Sequence, residues 1–438
     1  MKEIPSYKAN PGQRRLNEIL RNDEITRLLV ISGARSGKTF ELIRTLIARS
    51  IYAKDSRHAI IRKHFAEAKK FIWLDTFPKV LNICYPKLKS LIIENKSDYF
   101  FKLPNGSEIW IGGLDDKERA DKILGGEYNT IYFNEISEIS YESIVIALTR
   151  LAMKNFKKDG KELINKAYFD ANPTFKNHWS YKIFYEGIDP VTRLSIINKN
   201  NYAKIELKPE DNLENLPGQY IQELKNLTVN SRKRFYEGIY QDAILGALWS
   251  EDMINHFRVI QPPPLKRVVV AIDPAVTSGE QSNETGIVVI GQGSDDQIYV
   301  LDDFSGIFSP NQWGSRAILA YDKWRADAII GEVNQGGDMV ESIILNIRPD
   351  VGYHAVRATR GKYTRAEPIA SLYERGLVHH VGSFPDLEYQ MCTYIGDRNE
   401  DSPDRLDALV WGITALTARD EIQEETIIYD ERVNISTI

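Results

Sequence analysis

Between residues 28 and 46 the chain reads LLVISGARSGKTFELIRTL. An apolar run leads through small residues to Gly37-Lys38-Thr39 and on into an amphipathic helical pattern, and few folds satisfy that order. A strand that empties into a glycine-containing turn at the mouth of a helix presents several backbone N–H groups and the positive helix end to one spot, which suits phosphate. The strict form of such a loop, G-x-x-x-x-G-K-[ST], lacks its first glycine here, because Ser32 stands in that place. Residues Ser32, Gly33, Ala34, Arg35, Ser36, Gly37, Lys38 and Thr39 are expected to cradle ATP. Lys38 would reach the β- and γ-phosphates, and Thr39 would be a ligand of Mg²⁺. Gln13, ahead of the first strand, is a candidate hydrogen-bond partner of adenine.

At 438 residues the chain exceeds one ordinary core, so two or three domains are expected. No apolar run approaches the roughly 20 residues that a membrane span needs, and the first 15 residues hold no signal-peptide-like apolar segment. No membrane association is expected. The two cysteines, Cys84 and Cys392, are too few for a disulfide framework, which suits a reducing cytoplasm. A net charge of -5 argues against a chain coated in nucleic acid but leaves room for a local basic groove.

Three successive prolines in QPPPLKR, 261–267, interrupt both helix and strand and mark a boundary between halves. Before it, the strand-like runs RLLVIS, HAIIR, TIYFNE and KAYFDAN alternate with helix-length segments, the rhythm of a helix-covered parallel sheet. LIIENKSDYFFKLPNGSEIWIGG reads as a hairpin insert turning at Asn105-Gly106. After the prolines come three strands (RVVVAID, TGIVVIGQG, QIYVLDDF) and then alternating helices and strands, a layout like that of ribonuclease H. The expected fold is therefore α/β: a P-loop (ASCE-type) ATPase core over 1–175, a small helical subdomain and linker over 176–260, a ribonuclease H-like nuclease domain over 261–419, and an acidic tail over 420–438 that a partner would order.

Further chemistry follows in each half. TIYFNE ends in Asn134-Glu135, where a Walker B strand would end in Asp-Glu; Glu135 would polarise the attacking water, and Asn134 is a weaker partner for magnesium-bound water than a carboxylate. Asn172, in DANP, is placed to sense the γ-phosphate. An arginine finger contributes about 10³ to 10⁵ in rate, and Arg35 or Arg119 would supply it, in the same subunit or a neighbour. In the second half, strands end on Asp273 and Glu332, and Asp404 and Asp407 lie one turn apart on one helix face. Such carboxylates at one sheet edge would hold two Mg²⁺ or Mn²⁺ ions about 4 Å apart for attack on a phosphodiester. Asp302 and Asp303 are reserve ligands. Arg357, Arg360, Lys362 and Arg365 form the densest basic stretch and are candidate contacts to the DNA backbone, with Arg232, Lys233 and Arg234 a second cluster.

The ordered set SGARSGKT, IYFNE, DANPT with His178-Trp179, RFYEGIY, LWSEDM, IDPAV, GEVNQGG and DRLDALVWG resembles the large terminase subunit of tailed bacteriophages over nearly the whole chain. The resemblance implies that Lys38, Thr39 and Glu135 serve an ATPase, that Asn172 belongs to a coupling motif, and that Asp273, Glu332 and Asp407 bind nuclease metals. It further implies action on double-stranded viral DNA, with a portal protein, procapsid and small terminase subunit as partners. The chain would form a homo-oligomeric ring when docked and work in the host cytoplasm, outside the mature virion. Two other classes share the motifs: a DNA-binding motor with an inactive nuclease, against which the full carboxylate set weighs, and an ATP-dependent transposase or resolvase, which should not fill empty capsids.

Overall fold

The computed structural model describes residues 7–114, 117–227, 229–242, 246–274, 284–332, 337–358, 361–396 and 403–417. The acidic tail and Arg360 lie outside these residues. The chain divides into two compact units: Met1–Glu251 with Ser383–Ile395, and Asp252–Val276 with Glu284–Gly382 and the chain from Gly396. Among the described residues no helix is long and apolar enough to cross a membrane.

The first unit is built on an eight-stranded sheet: β1 (Arg27–Ser32), β2 (Arg57–Arg62), β3 (Ile93–Asn95), β4 (Phe100–Lys102), β5 (Glu108–Gly113), β6 (Thr130–Phe133), β7 (Lys166–Ala171) and β8 (Tyr202–Leu207). Their spatial order is β3-β4-β5-β2-β6-β7-β1-β8, parallel from β5 to β8. One strand, β7, therefore stands between the phosphate-loop strand β1 and the Asn134-Glu135 strand β6, the ASCE arrangement. Both faces are covered, so the strands read as continuous apolar runs. Leu28, Val30 and Tyr168 pack with Leu16, Leu42 and Leu46 on one face. Leu29, Ile31 and Phe169 pack with Ile144, Trp179 and Ile183 on the other.

Register decides what meets at the strand ends. Tyr132 pairs with Tyr168 and Phe133 with Phe169, while Val30 of β1 pairs with Asp170. Continuing the first register by one residue sets Asn134 abreast of Asp170, on the face that the helix Lys38–Tyr52 covers.

The insert forms the expected hairpin, with β4 and β5 pairing antiparallel around Asn105-Gly106, and β5 continues the main sheet beside β2. The structure departs from the expected organisation in two places. Residues 202–207, expected in a helical subdomain, form β8 of that sheet; the strand lies at the sheet edge and is only half-buried, so its apolar pattern is faint. Ser383–Ile395, expected in the nuclease half, belongs to the first unit, where Ser383 Oγ donates to the Pro190 carbonyl (2.9 Å) and Asp386 Oδ1 accepts from Tyr141 N–H (3.2 Å). A short helix with apolar residues such as Leu387 and Met391 suits either core, so sequence does not assign it.

The second unit carries β9 (Leu265–Asp273), β10 (Gly286–Gly293), β11 (Ile298–Asp303), β12 (Ala328–Glu332), β13 (Tyr353–Val356) and β14 (Val378–His380) in the order β13-β12-β9-β10-β11-β14. β10 runs antiparallel to both β9 and β11, whereas β12 and β13 continue parallel to β9, the ribonuclease H-like layout. Val270, Ile272, Ile287 and Val289 pack on Trp313, Ala317 and Ile344 on one face.

On this sheet the helix Asp404–Thr417 rests against β9 and β10. It begins where Arg405, almost fully buried, bonds Glu284 (2.9 and 2.5 Å) and Asp303 (2.5 Å). Its closeness to the sheet depends on Gly286, since a Cβ there would run into the Asp404 carbonyl. Gly286→Ala should push the helix start outward at a cost of about 1–3 kcal/mol. Thermal denaturation should report that loss, plasmid nicking should fall, and ATP hydrolysis should hold.

Candidate nucleotide and nuclease sites

Lys38 opens the helix Lys38–Tyr52 directly after the loop, and its side chain is nearly buried. Its Nζ donates to Asn172 Oδ1 (2.9 Å) and pairs with Glu135 Oε1 at 3.5 Å. Lys38, Glu135 and Asn172 thus meet at one point. Ser36 Oγ is buried without a hydrogen-bond partner among the described residues, a loop hydroxyl suited to a ligand oxygen.

The missing first glycine has a structural answer. Ser32 is fully buried and its hydroxyl donates to the Gly33 carbonyl (2.8 Å). Against this turn lies RFYEGIY, whose Phe235 carbonyl accepts from Ala34 N–H (2.6 Å). Gly238, at φ 67°, comes so near that a Cβ on it would sit 2.6 Å from Gly33 N. The facing segment provides the room that a serine takes away.

Glu135 adopts a left-handed backbone, φ 55° and ψ 59°, which costs a non-glycine residue roughly 1–2 kcal/mol. It is held there by its own N–H, which donates to Asp170 Oδ1 at 2.9 Å. The same oxygen accepts from Asn134 Nδ2 (2.9 Å), and Asp170 Oδ2 accepts from Thr39 Oγ1 (3.3 Å). Asn134 Nδ2 also reaches Tyr132 Oη (3.1 Å), and its Oδ1 accepts from Arg62 Nη1 (3.3 Å). Asp170 is fully buried; burial pushes its carboxyl up, Lys38 opposes the rise and Glu135 adds to it.

Lys38, Thr39, Asn134, Glu135 and Asn172 line a cavity of about 750 Å³, into which Arg35 and Arg62 also face. Arg35 is exposed and its carbonyl is held by Asn212 Nδ2 (2.8 Å), so its guanidinium is available to a nucleotide. The side chain of Arg119 lies outside the described residues. Gln13 lines the cavity and braces the loop: Oε1 accepts from Asn10 N–H (3.0 Å) and Nε2 donates to the Gly37 carbonyl (3.3 Å). A primary amide has a second N–H and a second lone pair, so these contacts are compatible with a bond to adenine.

In the second unit Asp273 and Glu332 end adjacent parallel strands, β9 and β12, and the helix Asp404–Thr417 brings Asp404 and Asp407 to the same edge. Burial pushes the Asp273 carboxyl well above the usual range, and Asp407, Asp404 and Glu332 push it further; all four charges converge. Burial raises Asp407 as well, with Lys362 opposing. Among the described residues no three of these acids stand at metal-binding spacing. Lys362, a candidate contact to the DNA backbone, bonds Asp407, as a cation among crowded acids. Arg365 stacks on Trp411, 4.4 Å from the ring centre, with its Nη1 3.9 Å from Glu332 Oε2. Of the expected DNA contacts, Arg357 is simply exposed. The reserve acids are engaged elsewhere, Asp302 with Lys323 (2.6 Å) and Trp324 (3.0 Å), Asp303 with Arg405.

Hard carboxylate oxygens with a surplus of negative charge fit Mg²⁺ or Mn²⁺, and Asp273, Glu332, Asp407 and Asp404 are the residues that would hold such ions. A bound ion would offset the repulsion and activate water.

Sequence reading missed Trp411, although it lies four residues after Asp407 on the same helix face; its Nε1 donates to Glu332 Oε2 at 2.7 Å. Trp411→Phe keeps the ring and loses that bond, so Mg²⁺-dependent cleavage should fall about tenfold to a hundredfold in a normally folded protein. Asp273→Asn removes one of the crowded charges. Its melting temperature in EDTA should rise by a few degrees, its gain on adding Mg²⁺ should shrink, and cleavage should be lost; calorimetry with a nicking assay checks all three.

Two family models match the chain: phage terminase large subunit over residues 25–238 and terminase RNaseH-like domain over residues 270–416. No curated protein matches. Among solved structures, the large terminase of a thermophilic bacteriophage is 14% identical at a TM-score of 0.45, with 93% of this chain and 99% of that one covered. The HK97 bacteriophage large terminase is 10% identical at a TM-score of 0.44, covering 93% and 95%. With an ATPase domain followed by an RNaseH-like nuclease domain, the chain is an ATPase and a nuclease, and it belongs to the family of phage terminase large subunits.

Proposed function

We propose that this chain hydrolyses ATP to drive double-stranded viral DNA through a portal into a procapsid, and cuts the concatemeric DNA with a two-metal endonuclease. The observation that carries the reading is one chain holding both sites: a phosphate loop whose lysine meets Glu135 and Asn172, and four acids gathered at the edge of an RNaseH-like sheet. An ATPase alone would suit many machines. Its union with a phosphodiester-cutting centre suits one that moves DNA and ends the movement with a cut.

In this reading Lys38 releases Glu135 when the β- and γ-phosphates arrive, and Asn172, losing the same lysine, passes the change into the turn after β7. Arg35, at the mouth of the cavity, neutralises the charge of the transition state, or Arg119 of a neighbouring subunit does so in a ring. Mg²⁺ serves both sites, and Mn²⁺ can replace it in the nuclease. The small terminase subunit brings the viral DNA, and the assembly works in the host cytoplasm and leaves before the virion matures.

Lys38→Ala tests the separation of the two chemistries, because the loop and the acids lie in different units. ATP hydrolysis should drop by about a hundredfold or more, as with the loss of other transition-state charge partners, and packaging into empty procapsids should stop. Plasmid nicking should continue. A parent protein that hydrolyses ATP and nicks DNA yet never protects DNA inside capsids, with portal and small subunit supplied, would defeat the packaging reading.

A further inference from the structure

The residue abreast of the catalytic strand end raises a question that the motif leaves open. A Walker B strand ends in a carboxylate that serves the nucleotide's divalent cation, and β6 ends in the neutral amide of Asn134. The negative charge lies one strand nearer the phosphate loop. Asp170 is fully buried in β7, between β6 and β1, and its Oδ2 accepts from the hydroxyl of Thr39, the loop residue expected to bind the nucleotide's divalent cation.

We propose that Asp170 has taken over the Walker B carboxylate's role toward the cation, acting on it beside Thr39, and that Asn134 is the positioning residue that aims it. The chemistry of the pair favours this division. Asn134 gives an N–H to Asp170 Oδ1 at 2.9 Å, which a second carboxylate could not do. Two ionised carboxylates at that separation would repel, and one would have to take up a proton. An acid at 170 and an amide at 134 are therefore one arrangement, an exchange of roles between cross-strand neighbours. The Glu135 N–H on the same Asp170 oxygen adds a consequence: the group that answers to the cation also holds the left-handed backbone of the residue that activates water. Asp170 thereby links cation binding to the aim of Glu135, which a carboxylate at position 134 would not do through its own side chain.

The test uses the full chain and ADP, titrated in excess EDTA and in Mg²⁺, so that the readout is the gain in affinity that the cation confers. In Asp170→Asn, ADP affinity in EDTA should stay near the parent value while the Mg²⁺-dependent gain falls about tenfold or more, as for other groups that orient a metal's ligands. The exchange Asn134→Asp with Asp170→Asn returns one carboxylate and one amide to the pair and should recover most of that gain. A structural anchor alone would lower the melting temperature and leave the gain intact. A folded Asp170→Asn protein that keeps the parent's gain overturns the proposal. Where that variant does not fold, the parent carries the test: in crystals with Mn²⁺ and ADP, located by anomalous scattering, a metal shell in contact with Asp170 supports the assignment, and a shell in contact with Asn134 alone refutes it.

Discussion

The fully buried Asp170 carboxylate is the contact on which the nucleotide site rests. Three donors from two segments converge on it: the Thr39 hydroxyl from the phosphate loop, and from the end of β6 the Asn134 amide and the Glu135 backbone N–H just beyond. Charge-assisted bonds of this kind contribute about 1.5–3 kcal/mol each, enough to hold one left-handed residue in place. A buried acid with fewer donors would cost more than it returned. The ASCE order, with β7 between β1 and β6, is what puts a β7 side chain within reach of both neighbours.

The two sites share one physical device. Each gathers acids at strand ends and sets a lysine among them, Lys38 beside Glu135 and Lys362 beside Asp407. The ion pair offsets part of the repulsion between the acids. The difference lies in the surplus. Around Asp273 three further carboxylates face one lysine, with Arg365 near Glu332, so the nuclease edge keeps a stronger demand for cations.

Supporting residues set the precision of both centres. Gly238 lets a serine-containing loop close against the RFYEGIY segment, and Trp411 fixes one oxygen of Glu332 while its ring carries Arg365. Neither residue is a reactive group. Both decide where one sits, as outer partners commonly do.

The sequence by itself determined the two-part α/β plan and singled out the phosphate loop and the candidates Lys38, Thr39, Glu135, Asp273, Glu332 and Asp407. Strand-end acids, glycine-rich turns and helical spacing are local patterns, and local patterns survive in one dimension. Tertiary structure decided which groups meet. Lys362 read as one of several basic residues, and charge alone does not say that its side chain meets Asp407. Residues 202–207 read as part of a helical subdomain, because a half-buried edge strand shows little periodicity. Asp170 read as the neighbour of a sensor asparagine, and Asn134 as a weakened motif. Their exchange of roles depends on a pairing register between strands 36 residues apart, and register is a property of the folded sheet that no stretch of either strand records.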